Sequence, residues 1–123
     1  MEEKIGKLIL DCAFRVHSAL GPGLLESAYE ACLAYELAKH VEVQRQFAMP
    51  LRYEGVNLDV GYKVDLLVGD CVIVELKAVS KLTDLHLAQT LSYLRLGDLA
   101  LGYLLNFNVK QMKGGIKRVV NGL

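Results

Sequence analysis

The chain has 123 residues, 53% of them hydrophobic, with 14 basic and 14 acidic side chains and a formal net charge of zero. That length fits a single domain over residues 1–123, and that apolar fraction can bury a core without disulfide or metal staples. Two prolines and no low-complexity run exclude a disordered chain, no stretch approaches the roughly 18 uncharged apolar residues of a membrane span, and the zero balance argues against strong, charge-driven binding to a polyanion.

Residues 4–20 read as a helix, because Ile5, Leu8, Ile9, Cys12, Ala13, Val16 and Leu20 recur with the spacing of one apolar face. Gly21-Pro22-Gly23 stops it. A second helix runs from Leu24 to Lys39, with Leu25, Ala28, Cys32 and Leu33 as its apolar set. From Glu42 the period changes to two. Val43 to Phe47 reads as a strand, Met49-Pro50 interrupts, and Leu51 to Tyr53 is a short edge strand before the Glu54-Gly55 turn. Val60 to Val68 is the next strand, and a Gly69-Asp70 turn joins it as a hairpin to Cys71–Val79. That last segment is the most apolar and therefore central. Thr83 is placed to cap a third helix, Asp84 to Leu96, closed by Gly97. Leu101 to Phe107 is a further strand, Gly114-Gly115 turns, and Ile116 to Val120 returns as a last one. The order predicts an α/β fold, a sheet sandwiched by helices with a meander at its start.

Charge is unevenly placed along this order. Residues 1–36 carry three basic and six acidic side chains, whereas residues 110–123 carry Lys110, Lys113, Lys117 and Arg118 and no acid. The basic end leaves room for a local phosphate contact. The acidic start, Met1 to Leu10, does not read as a signal peptide. Cys12, Cys32 and Cys71 are widely spaced among apolar neighbours, with no CxxC and no zinc spacing. They read as small core residues of a protein in the reducing cytoplasm.

The informative positions are charges inside segments that should be buried. Along Cys71–Val79, Val72, Val74, Leu76 and Ala78 make one clean apolar face, while Ile73, Glu75, Lys77 and Val79 make the other. A carboxylate and an ammonium on a central strand are costly to desolvate, and a structural ion pair is the simplest account of them. The preceding strand repeats the anomaly. Tyr62, Val64, Leu66 and Val68 are apolar, and Asp65 sits mid-strand on the opposite face with Lys63 and Leu67. A tight turn at Gly69-Asp70 sets Asp65 opposite residue 74, diagonal to Glu75; a one-residue bulge sets it directly beside Glu75. Two acids held this close repel unless a cation lies between them. Hard oxygen ligands of this kind suit Mg²⁺ or Mn²⁺. In the third helix, His86, Gln89 and Tyr93 share a face, with Leu85, Ala88, Leu91 and Leu94 directed to the core. In the second, Glu26 and Tyr29 lie at i, i+3, and Glu26 in the first turn complements the helix dipole.

Gly23-Leu24-Leu25-Glu26-Ser27-Ala28-Tyr29 matches G-x-x-E-x-x-Y, and the chain resembles the family named after that signature. The resemblance runs from Val16-His17 through Val64-Asp65-Leu66-Leu67-Val68 and Ile73-Val74-Glu75-Leu76-Lys77 to Asn106-Phe107-Asn108-Val109 and Gly115-Ile116-Lys117-Arg118. That family looks like a minimal branch of the PD-(D/E)xK nucleases, in which Val64 here stands where Pro often precedes the first Asp. Gln89-x-x-x-Tyr93 is similar to the Q-x-x-x-Y motif of the recombination-exonuclease branch.

The resemblance implies a restriction-endonuclease-like core, a central mixed sheet of four to six strands flanked by helices. It implies metal-dependent hydrolysis of nucleic acid, DNA in the first instance. Asp65, Glu75 and the Leu76 carbonyl would hold Mg²⁺ or Mn²⁺, with Glu26 reaching the same ion directly or through water. Lys77 would orient the attacking water, and Gln89 and Tyr93 would line the cleft. Lys63 and Lys81 are weaker candidates for phosphate contact, and His17 and His86 have no evident partner. The competing readings are a nucleic-acid-binding or regulatory module with little catalysis, and a homodimeric interaction domain that keeps the nuclease fold.

Overall fold

A computed structural model describes residues 1–123. Two helices come first, α1 (Glu2–Leu20) and α2 (Glu26–Ala38), followed by β1 (Val43–Ala48), β2 (Leu51–Tyr53), β3 (Val56–Leu58), β4 (Lys63–Val68) and β5 (Val72–Lys77). Then come α3 (Asp84–Gly97), β6 (Leu101–Asn106), a short 3-10 helix (Met112–Gly115) and β7 (Ile116–Val120). Five strands form one mixed sheet in the order β1-β4-β5-β6-β7. Only β5 and β6 run parallel; every other neighbouring pair is antiparallel. The one parallel pair is the one joined through a helix, α3, as a crossover requires.

β2 and β3 stand outside this sheet as a separate two-stranded ribbon. The sequence reading made β2 an edge strand and did not foresee β3. Both strands are short, and β3 is exposed throughout, so no apolar alternation marks them.

The sheet is covered on both faces, which is why its inner strands read as continuous apolar runs. On one face α1 and α2 pack over Leu66, Val68, Val74, Leu76, Leu101 and Leu105. On the other, α3 packs through Leu94 onto Leu67, Ile73 and Val119. Gly6 lets α1 lie against the sheet, because a Cβ there would meet the Tyr103 hydroxyl at 2.7 Å. All three cysteines are free; Cys12 is in the larger core, and Cys32 and Cys71 pack against it.

Two helical faces differ from expectation. In α2 the buried set is Tyr29, Glu30, Leu33, Ala34 and Leu37, while Leu25 is exposed. In α3, Thr90 and Leu94 are buried with Leu87 and Leu91 packed beside them, whereas Leu85 and Ala88 face solvent. Leucines on both sides of a short helix blur the stripe: Leu33, Leu91 and Leu94 face the cores as expected, and Leu25, Leu85 and Ala88 do not. Thr83 caps α3 as expected: its Oγ1 accepts from the His86 N–H at 3.3 Å, and the Thr83 N–H donates to His86 Nδ1 at 3.1 Å. The helix closes not on Gly97, its last residue, but on Asp98 in the left-handed conformation.

Candidate active site

β4 and β5 pair as Val68↔Val72, Leu67↔Ile73 and Leu66↔Val74, and the ladder stops there. The connection is Gly69-Asp70-Cys71, with Gly69 (φ 58) and Asp70 (φ 62) both left-handed. Glycine is at home in that conformation and Asp tolerates it. This three-residue loop shifts the register by one from a two-residue turn. Asp65 therefore comes level with Glu75, as the bulged alternative required.

At that level the strands exchange side chains in place of backbone rungs. The Leu76 N–H donates to Asp65 Oδ2 at 2.8 Å, and the Asp65 N–H donates to Glu75 Oε1 at 3.1 Å. A residue in an antiparallel ladder turns its N–H and C=O to the same neighbour. The Leu76 carbonyl thus faces the gap that β4 leaves. β1 contributes to the break. Gln46 is left-handed (φ 52), and across it the strands switch faces: Leu66 packs under α1 and α2, while Val64 packs under α3. The uninterrupted Val64-Leu66-Val68 face of the sequence reading is therefore corrected, and the irregularity falls at Asp65.

Glu75 is only 8% exposed. Burial, and then the charge of Asp65, push its carboxyl up from 4.5 to about 8; the Asp65 N–H and Lys77 oppose the shift. Lys77 is half-buried one pleat further along, yet no salt bridge joins it to Glu75. The structural ion pair, the simplest account of these charges, is absent. Tyr93 belongs to the same neighbourhood. Burial raises its phenol first, and Glu75, Tyr62 and Asp65 add to it. Gln89, one turn earlier, is exposed on the rim of a cavity it shares with Tyr93, Tyr62 and Leu51.

A family model described as the PD-(D/E)XK nuclease superfamily matches residues 3–119. The chain belongs to the PD-(D/E)XK nuclease superfamily. No curated protein and no solved structure matches it. The five-stranded mixed sheet with helices on both faces is that superfamily's restriction-endonuclease-like fold. Membership points to nuclease activity, and PD-(D/E)XK nucleases typically use divalent metal ions.

The residues present fit such an ion by the chemistry of their donors. The gap between β4 and β5 offers two carboxylates and a carbonyl, all hard oxygens. Mg²⁺ is commonly held by one or two carboxylates, with water completing its shell. No three His, Cys, Asp or Glu side chains gather as a metal-binding group, so Glu26 does not join Asp65 and Glu75 as a third ligand. It is exposed in the first turn of α2. Asp65 and Glu75 stand together as a pair of acids, without Glu26 as a direct third.

The acid that does reach toward the pair from α2 is Glu30, one turn after Glu26. Glu30 is buried; its Oε2 accepts from Arg45 Nε at 3.0 Å and its Oε1 from Gln46 Nε2 at 2.7 Å. The same Gln46 nitrogen lies 3.2 Å from Asp65 Oδ1. Sequence reasoning missed Glu30 and Gln46. The available signal was Glu30 standing one residue after Tyr29 on a face that must meet the sheet.

Other motif residues prove to be framework. Tyr29 stacks on Phe107 (centroids 4.7 Å, 13°), donates to the Gly21 carbonyl at 2.6 Å and accepts from the Leu24 N–H at 3.1 Å. It thereby fixes the Gly21–Leu24 loop that launches α2. Buried Asn106 accepts from the Val79 N–H at 3.1 Å and donates to the Val79 carbonyl at 2.9 Å, pinning the chain after β5. His17 Nε2 lies 2.7 Å from the Val109 carbonyl, and His86 is spent on the α3 cap.

Proposed function

We infer that this chain is a metal-dependent phosphodiesterase acting on nucleic acid, DNA in the first instance, and that it falls in the G-x-x-E-x-x-Y branch. The observation that carries this reading is the Asp65–Glu75 pair, set where the ladder opens, with neither acid in a salt bridge. A Mg²⁺ or Mn²⁺ ion in that gap would supply Lewis acidity to the phosphate and favour ionisation of water. Asp65, Glu75 and the Leu76 carbonyl would be its ligands. Lys77 orients the attacking water and offsets charge building on the phosphate. Gln89 and Tyr93 hold the substrate beside it.

A zero net charge does not preclude a polyanionic partner here. Lys81 and Lys117 line one groove, and Lys110 and Lys113 line a neighbouring cavity of about 440 Å³ with His17 and Ser18. None of these four lysines is in a salt bridge. They form a local cationic surface for a phosphate backbone. No helix is long and apolar enough to cross a membrane, and three free cysteines suit a reducing cytoplasm. Exposed Phe14, Leu20 and Tyr35 on α1 and α2 favour a homodimer as the second reading. The test is cleavage of single- and double-stranded DNA with Mg²⁺ or Mn²⁺ and with EDTA. Cleavage that requires the metal supports the reading, and none on either substrate with either metal contradicts it.

A further inference from the structure

The cavity walled by Tyr62, just before β4, has a lining that phosphate chemistry does not need. It is bounded by Leu51, Tyr62, Gln89, Ser92, Tyr93 and Leu96 and encloses about 340 Å³, within the size range of small-molecule sites. Its walls are mostly apolar, whereas a phosphate calls for cations and N–H groups. The Tyr62 and Tyr93 rings stand 6.1 Å apart and tilted by 57°. At that separation and tilt they meet edge to face and form one aromatic corner of the cavity. Tyr62 is 44% exposed, so one ring face is free. The side-chain hydrogen bonds on α3 are those of Thr83, His86 and Thr90. The Gln89 amide is uncommitted, with a donor and an acceptor to offer.

The geometry points to a nucleobase subsite: one unpaired base of a single strand lies against Tyr62 and Tyr93, its edge toward Gln89, while the adjoining phosphate sits at the Asp65–Glu75 pair. This rests on the nuclease reading above and names its substrate class. Aromatic rings hold any base by its π-face, so the subsite is tolerant of sequence. A paired base cannot enter without leaving its stack, which selects single strands or frayed ends over duplex. Tyr62 precedes Asp65 by three residues at the entry to β4, at most about 11 Å of extended chain, so the aromatic wall and the acids lie on one stretch of strand.

The test uses the full chain carrying Glu75→Gln, in EDTA, so that nothing is cut. The probe is a short single-stranded DNA containing 2-aminopurine, compared with the same strand in a duplex. The chain has no tryptophan to interfere with that fluorescence. The single strand should bind at least about tenfold tighter than the duplex, with quenching of the probe. Adding Tyr62→Ala should cost about tenfold in affinity and remove the quenching, and Tyr62→Phe should retain both. Equal binding of duplex and single strand, or indifference of affinity and quenching to Tyr62→Ala, overturns the subsite. The two readings fail separately. Quenching that depends on Tyr62 in a protein that cuts nothing with any metal supports the subsite and overturns hydrolysis. Metal-dependent duplex cleavage untouched by Tyr62→Ala overturns the subsite alone.

Discussion

From Leu66 to Val68, β4 meets β5 rung by rung, and every side chain there is apolar and buried. One residue further, at Asp65 and Glu75, the rungs are replaced by carboxylates accepting backbone N–H groups. The two halves of one hairpin thus divide the work. The paired half is a rigid anchor under both cores, and the open half is a gap that a strand pair would normally close. The contrast teaches that the acid pair is exposed to the gap by withholding pairing at a fixed distance from the turn, with the turn's length setting that distance.

The contrast can be broken first at the open half. Asp65→Asn, Glu75→Gln or Lys77→Ala should each lower metal-dependent cleavage on the order of 1000-fold, comparable to removing one transition-state donor elsewhere. Steady-state assays with saturating Mn²⁺ read this directly. The paired half should respond in stability. Leu66→Ala, fully buried in the larger core, should cost about 3 kcal/mol, seen as a lower urea midpoint at unchanged slope. The smallest effect lies away from the hairpin. Thr83→Ala removes the α3 cap and should cost about 1 kcal/mol, with cleavage per folded molecule preserved because α3 stays docked through Leu94.

The paired half was legible because its chemistry is periodic: Val72, Val74 and Leu76 alternate with Ile73, and only a sheet buried on both faces accepts that run. Asp65, Glu75 and Lys77 were legible as exceptions to the same pattern. What could not be read was conformation that leaves no periodic trace. Whether Gly69-Asp70 made a two- or a three-residue loop depended on Cys71, a residue with no turn signature. Gln46 in the left-handed region and the exposed β2–β3 ribbon are equally silent. Glu30 was overlooked because one more acid in an acid-rich helix carries no contrast, and its meaning lies in Arg45 and Gln46, fifteen and sixteen residues away. Glu26 was favoured by its motif, yet it stands exposed and outside the pair.

The most direct measurement is urea unfolding of the wild type, Asp65→Asn and Glu75→Gln in EDTA between pH 5 and pH 9. The folded pKa of Glu75, about 8, lies above its ordinary value of 4.5, so folding tightens the proton. Stability from this group is therefore fully present below pH 4.5, falls as pH rises, and is lost above pH 8, a total on the order of 5 kcal/mol. Glu75→Gln keeps the neutral form at every pH. It should be more stable than the wild type by about 3 kcal/mol at pH 7 and should flatten the pH dependence. Asp65→Asn removes the repulsion and should be at least as stable as the wild type at pH 7. Mn²⁺ should raise the wild type and neither variant. Clear destabilisation of both variants in EDTA, of the roughly 3–5 kcal/mol expected when a buried ion pair is broken, would mean that the acids serve the fold, and would contradict a metal site held at a cost in stability.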